Sequence, residues 1–498
     1  MLDRRISPPV SPPVSLRISP PVSLRISPPS LISLISLFAC RLRPLAAPLA
    51  VLLACLLGAL VPAGFAAAGS VAAGDRFPYT IQTVKLDNGL LLVMVPMASP
   101  GVVHYQTVVR AGSRNEIEPG RTGYAHFFEH VMFRGTKRFP QAEYQRLLDV
   151  LGADGNASTG MDETNYFNTL PASGLDQVIE IEADRFRNLS YTEEQFRKEA
   201  GAVLGEFAIG HANVETLLEE RLLAHAFPRH PYGHTVLGTE ADVRAMPDGY
   251  QYSRQFYDRY YRPENCAILI CGDFDPTRAA DAVRAAYGGW ERGGYGTEIP
   301  VERPLASAIR DSIRWNGPTR PILQISFRTP AYATSVPTAA ALELLREAVF
   351  GPTSKLYREL VLDRRLAESL SASAGRNRDP YLFTVSVRLY DDGQLEPVRA
   401  RILAALQEAS APAGIDGAVL EAAKRRYLAQ LALSLETPAG VAWRLSDWIG
   451  LTGDPQEIER FVDALRASDP SQLRRAASQF LLEKNSITIT VTGKEVKS

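Results

Sequence analysis

The sequence predicts an α+β fold with more than one domain, and three observations carry that prediction. A chain of 498 residues is longer than one hydrophobic core usually supports. Apolar runs with strand chemistry, such as residues 90–95 and 322–327, alternate with stretches whose apolar residues recur at helical spacing. The order of these elements in the second half echoes the first. Hydrophobic residues make up 46% of the chain, charged residues 22%, and the formal net charge is -1. That is the composition of a globular protein with no electrostatic call for nucleic acid.

The first 75 residues stand apart from the fold. Residues 6–30 repeat Ile-Ser-Pro-Pro-Val-Ser-Leu-Arg almost verbatim, and prolines at that density build neither helix nor sheet. Arg41 and Arg43, the apolar run 45–57 and the small residues Ala66, Ala67 and Ala68 then make a complete export signal, which predicts a periplasmic protein. Two other readings fit the segment: an Arg- and Ser-rich mitochondrial presequence, leading to the matrix, or an uncleaved anchor, for which the stretch between Pro48 and Pro62 is short. Membrane contact is expected through this segment alone. Removing it leaves Cys266 and Cys271, five apart in an apparent strand and so on opposite faces, which predicts no disulfide between them.

From Thr83 the chain turns to strand chemistry, with a turn at Asp87-Asn88-Gly89 inside the pair 84–86 and 90–95, and a further strand over 102–109. A polar loop from Ala111 ends at Gly123. The next stretch, Tyr124-Ala125-His126-Phe127-Phe128-Glu129-His130, organises the rest. As a helix it sets His126 and His130 at i and i+4, on one face and about one turn apart, able to share a metal, with Glu129 beside them. His-x-x-Glu-His inverts the commoner His-Glu-x-x-His of zinc hydrolases: the histidines hold Zn²⁺ and the glutamate is the general base. Two helix-surface histidines with a nearby carboxylate is the bland alternative.

A helix over 142–151 follows, and then a small, polar run through Asn156, Ala157 and Thr159 that leads into a β-like run over 164–171. A strand with so few large side chains leaves its backbone approachable, as a sheet edge that pairs with an extended peptide would need; an ordinary exposed hairpin fits equally. Glu180, Glu182 and Asp184 on the helix 175–189 read as a solvated face. On the next helix, 193–209, Glu199 and Glu206 are two turns apart and share a stripe. A carboxylate from a separate helix is a natural third ligand for a site that must keep a water position open, although a glutamate pair at this spacing is more often plain surface.

These residues resemble the pitrilysin/insulinase family of inverted zinc metallopeptidases, in particular its short bacterial members and the β subunit of mitochondrial processing peptidase. The matching stretches are Gly112-Ser113-Arg114, residues 123–135, Asn156-Ala157 with Thr159 and Tyr166, Glu182-Ala183-Asp184-Arg185, His230-Pro231-Tyr232-Gly233 and Pro263-Glu264-Asn265. The resemblance implies two homologous domains, each a mostly antiparallel sheet with helices packed on one side: a zinc-binding domain over 76–292, a Pro-, Gly- and charge-rich linker over 293–308, and a zinc-free domain over 309–498. It implies one Zn²⁺ per chain, held by His126, His130 and Glu206, with Glu129 catalytic and Glu199 assisting. Asn156, Ala157 and Thr159, with Phe128, are the implied substrate contacts.

In the second half, strands over 322–327, 381–389 and 487–491 surround a helix-rich tail and carry no second His-x-x-Glu-His. Members of the family that work alone, or that serve as the partner subunit, carry an arginine and, seven residues on, a tyrosine that contact the substrate; the matching positions here hold Val361 and Glu368. The resemblance therefore implies the catalytic subunit of a two-chain peptidase, with a homologous zinc-free partner supplying that pair. A homodimer, or substitution by Arg364 or Arg365, is the alternative. A non-catalytic assembly subunit and a zinc hydrolase of non-peptide amides are the rival functions.

Overall fold

The computed structural model describes residues 77–494; the repeat and the expected export signal, with the two cysteines at 40 and 55, lie outside the described residues. The first sheet has six strands: β1 (Gln82–Lys85), β2 (Leu91–Pro96), β3 (Val102–Val109), β4 (Asp154–Thr159), β5 (Thr164–Pro171) and β6 (Cys266–Gly272). Their order is β1-β2-β6-β3-β5-β4. Only β2 and β6 run parallel, so the sheet is mostly antiparallel, and β4 is an edge. Gly89 sits at φ 90 in the β1–β2 turn, a backbone position that glycine occupies without a Cβ penalty.

The helices of this half are α1 (Tyr124–Val131), α2 (Gln141–Leu151), α3 (Leu175–Asn188), α4 (Glu193–Gly210), α5 (Val214–Ala226), α6 (Glu240–Ala245), α7 (Tyr250–Tyr260) and α8 (Pro276–Tyr287). No helix or strand lies between Tyr287 and Ile309. The second sheet comprises β7 (Ile309–Pro318), β8 (Ile322–Thr329), β9 (Ala367–Ala374), β10 (Tyr381–Leu389) and β11 (Ser486–Lys494), in the order β7-β11-β8-β10-β9. Its helices are α9 (Val336–Phe350), α10 (Leu395–Ser410), α11 (Gly417–Ser434), α12 (Pro438–Thr452), α13 (Glu457–Ala467) and α14 (Pro470–Phe480). The last strand again enters parallel to the first and antiparallel to the second, as β6 does. The two halves share one topology apart from β1.

Each sheet is covered on both faces, and the second cover comes from the opposite half. Leu92, Met94, Ile268 and Ile270 pack into the core under the helices of the first half. Val93, Val95, Val108, Leu269 and Cys271 face the other way, into a core shared with Val441, Leu445 and Ile449 of α12. Reciprocally, Ile322, Leu382, Ile487, Ile489 and Val491 of the second sheet pack against Val214, Leu218 and Leu222 of α5. This is why residues 91–95 read as an unbroken apolar run: a strand buried on both faces has no solvent side to mark with polar residues. Cys266 and Cys271 are both free and buried, on opposite faces.

One sequence expectation fails in this core. Glu182 belongs to no solvated face: it is fully buried and pairs with the equally buried Arg185. Among the described residues no helix is long and apolar enough to cross a membrane.

Candidate metal centre

The site is built where α1 meets α4. Helix α1 begins at Gly123, whose φ of 89 is left-handed and whose missing Cβ would otherwise stand 2.7 Å from the Leu237 carbonyl oxygen. Its apolar residues Phe127, Phe128 and Val131 point into the core, which turns the opposite face, with His126 and His130, toward α4. Helix α4 starts with a reciprocal cap between Thr192 and Gln195 and buries Phe196, Ala200, Val203 and Phe207. That stripe fixes its rotation, and Glu199 and Glu206 come up beside α1.

Glu206 Oε2 lies 3.4 Å from His126 Nε2 and 3.4 Å from His130 Nε2. The two imidazole rings stand edge to face, 4.9 Å between centroids. Tetrahedral Zn²⁺ with bonds of about 2.0–2.1 Å would hold neighbouring ligand atoms about 3.3 Å apart, so the donor set fits zinc. Its chemistry fits as well. Burial and the neighbouring His130 lower His126 to about 4, keeping it the neutral imidazole that a metal binds. Burial acts to raise the Glu206 carboxyl, but His130 and His126 more than offset it and hold it below its usual range, as an anion.

Glu129 is half-buried, and the Thr159 hydroxyl donates to its Oε2 at 2.7 Å. Burial raises this carboxyl while Thr159 and His130 oppose the rise, so the group is tuned toward proton uptake. Glu199 stands with Oε2 3.7 Å from His130 Nδ1 and forms an ion pair with Arg134, from the 3-10 turn that continues α1.

Asn156 is exposed on β4, the edge strand beside α1, where a peptide backbone has access. Ala157 is 7% exposed and packs inward, so only its backbone is available there. Thr159 sits on the same edge, but its hydroxyl is spent on Glu129. Phe128, expected as a substrate contact, is fully buried and stacked on Phe256 and Tyr257, so its ring offers no surface to a peptide. At about 100° per residue it lies roughly 200° around the helix from His126, on the core side. Val361 is partly buried in a π-helical turn, Arg358–Asp363, and Glu368 lies on the edge strand β9, 3.5 Å from Arg320 Nε.

Sequence reasoning missed two residues. Arg134, four beyond His130, carried the helical-spacing signal that would have drawn attention to it. Glu116 lies in the polar loop before α1; its oxygens accept from the backbone N–H groups of Gly123 and Ala125 at 2.8 and 2.6 Å. The signal was indirect: a helix that begins at glycine has no side-chain cap of its own.

Comparison with known proteins agrees with the geometry. Residues 99–240 match the model of the insulinase family, peptidase family M16, and residues 250–427 match that of the peptidase M16 inactive domain. The zinc protease PqqE of Helicobacter pylori is 26% identical over 421 residues, spanning 82% of this chain and 92% of that one. The mitochondrial-processing peptidase subunit beta of Blastocladiella emersonii is 22% identical over 431 residues, spanning 82% and 88%. The crystal structure of a protease from Helicobacter pylori superposes with a TM-score of 0.77 at 24% identity, covering 84% of this chain and 100% of that one.

Proposed function

The chain belongs to the insulinase family of peptidases, family M16, and we propose that it is a zinc-dependent endopeptidase acting on extended peptides. One observation carries the reading: His126 and His130 on one helix and Glu206 on another offer ligand atoms that all lie within 4.8 Å of one another, with Glu129 alongside. His126, His130 and Glu206 would hold the ion. When bound, zinc supplies Lewis acidity, which acidifies water and polarises a carbonyl.

The protein's own groups do the rest. The free edge of β4 binds the substrate as an added strand, through backbone hydrogen bonds that tolerate varied side chains. Glu129, oriented by Thr159, takes a proton from the attacking water and returns it to the leaving amine. Glu199, held by Arg134, orients His130 through Nδ1. The expected result is that dialysis against a chelator abolishes cleavage of a quenched fluorescent peptide and that stoichiometric Zn²⁺ restores it. Full cleavage by metal-stripped protein would sink the reading.

We further infer a two-chain enzyme. By the family resemblance, Val361 and Glu368 take the positions of the arginine and tyrosine that grip the substrate, and the Blastocladiella emersonii relative is named as a subunit. The purified chain should cleave peptides weakly and gain activity when mixed with a homologous zinc-free chain from the same cells; full turnover by a rigorous monomer contradicts this. The intact set of His126, Glu129, His130 and Glu206 argues against a decayed, assembly-only subunit. Export rests on the basic and apolar residues 41–68.

A further inference from the structure

The geometry points to Glu116 as the positioning residue of the metal-binding helix, capping α1 from outside it. This rests on the zinc-peptidase reading for its consequence, though the capping contact stands without it.

The first backbone N–H groups of any helix have no partner within it. Ser, Thr, Asp or Asn at the N-cap normally supplies one, but α1 starts at Gly123, where neither the left-handed backbone nor the 2.7 Å approach of the Leu237 carbonyl leaves room for a side chain. Glu116 comes from the preceding loop, is 3% exposed, and divides its two oxygens between the Gly123 and Ala125 amides. Burial pushes this carboxyl up to about 8 while the Ala125, Gly123 and Tyr124 amides pull against the rise, so the cap is made by hydrogen bonds to its oxygens and not by a full charge at the helix end. Beside Glu116 lies the buried imidazole of His234, whose pKa burial lowers, so it brings no fixed positive charge to the carboxyl. Its Nδ1 lies 2.9 Å from the Thr235 carbonyl oxygen, and its Nε2 faces Glu116 Oε2 at 3.7 Å with no hydrogen-bond partner. Burying a carboxyl group is costly unless its hydrogen bonds are made, and here those bonds go to the start of α1.

Position follows from this contact. Helix α1 is eight residues long, and His126 directly follows the capped Ala125. A small rotation or slip of so short a helix would carry both His126 and His130 away from Glu206. The far end is held as well, by Arg134 on Glu199, so α1 is fastened at both ends and the histidine pair lies between the two fastenings.

The test uses the full chain with Glu116→Gln and Glu116→Asp, each checked for fold by circular dichroism and unfolding midpoint. Glu116→Gln should bind Zn²⁺ and Co²⁺ about tenfold more weakly in competition titrations, and the Gly123 and Ala125 amides should exchange faster. A residue that only held the fold would lower the midpoint and leave the metal affinity of folded molecules unchanged; that result overturns the assignment. If the Gln variant does not fold, Glu116→Asp, which keeps the carboxyl but shortens the reach, is read by the same two outcomes. If the wild-type protein binds no zinc, the peptidase reading fails by itself. Amide exchange then decides the cap: faster exchange at Gly123 and Ala125 supports it, and unchanged exchange refutes it.

Discussion

Replacing Glu129 by Gln should leave zinc in place and lower kcat by about 10²–10⁴, the usual contribution of a positioned general base. The amide has nearly the same shape and can still accept from Thr159, whose hydroxyl lies 2.7 Å from Oε2, so the fold and the three ligands are undisturbed. What it cannot do is take a proton. Because the change falls on the chemical step, KM should move little. Two measurements decide it: metal content by atomic absorption, and turnover of a fluorogenic peptide. Unchanged turnover would remove the general-base role; loss of zinc would mean that Glu129 acts instead by holding the ligand helix.

How far such a site can be read from sequence depends on whether its contacts are local. His126 and His130 are fixed relative to each other by helical periodicity alone, so their pairing was legible and the structure reproduces it. Glu206 lies on another helix, and no local rule says which carboxylate will arrive; the pairing with α1 came from family resemblance and is seen here as a 3.4 Å approach. The elements that the sequence did assign, such as 102–109, 142–151 and 381–389, agree to within a few residues because their apolar patterns are local, whereas β7, β9 and α5 to α8 were not assigned. The reciprocal covering of each sheet by α5 and α12 was not read, since it depends on how two halves of one chain pack. Phe128 was avoidable, because the same periodicity that pairs His126 with His130 turns Phe128 into the core.

Glu182 was misread for a different reason. A carboxylate on an amphipathic helix is usually solvated, and nothing local distinguishes a buried one except its neighbours. Val178, Ile179, Ile181, Phe186 and Arg185 surround it in sequence, and Arg185 three residues on was the partner. Both side chains are essentially inaccessible, at 0% and 1%. The Tyr144 hydroxyl donates to Glu182 at 2.9 Å, and the guanidinium lies over the rings of Phe133, Tyr144, Tyr166 and Phe186 at 5.1–5.5 Å.

Replacing Arg185 by Leu is therefore expected to cost about 3–5 kcal/mol of stability, because it strands Glu182 as an uncompensated buried charge. The pair ties α3 to Tyr144 of α2 and Tyr166 of β5, the strand that backs the edge strand β4. Loosening should therefore appear first as faster amide exchange in β4 and β5, and activity should fall with it. The double variant Glu182→Leu/Arg185→Leu removes both charges and should recover most of the loss, since replacing a whole buried pair by apolar residues is often neutral. Denaturant midpoints of the wild type and the two variants measure the difference. A single variant as stable as the wild type would refute the claim that the burial of Glu182 depends on Arg185.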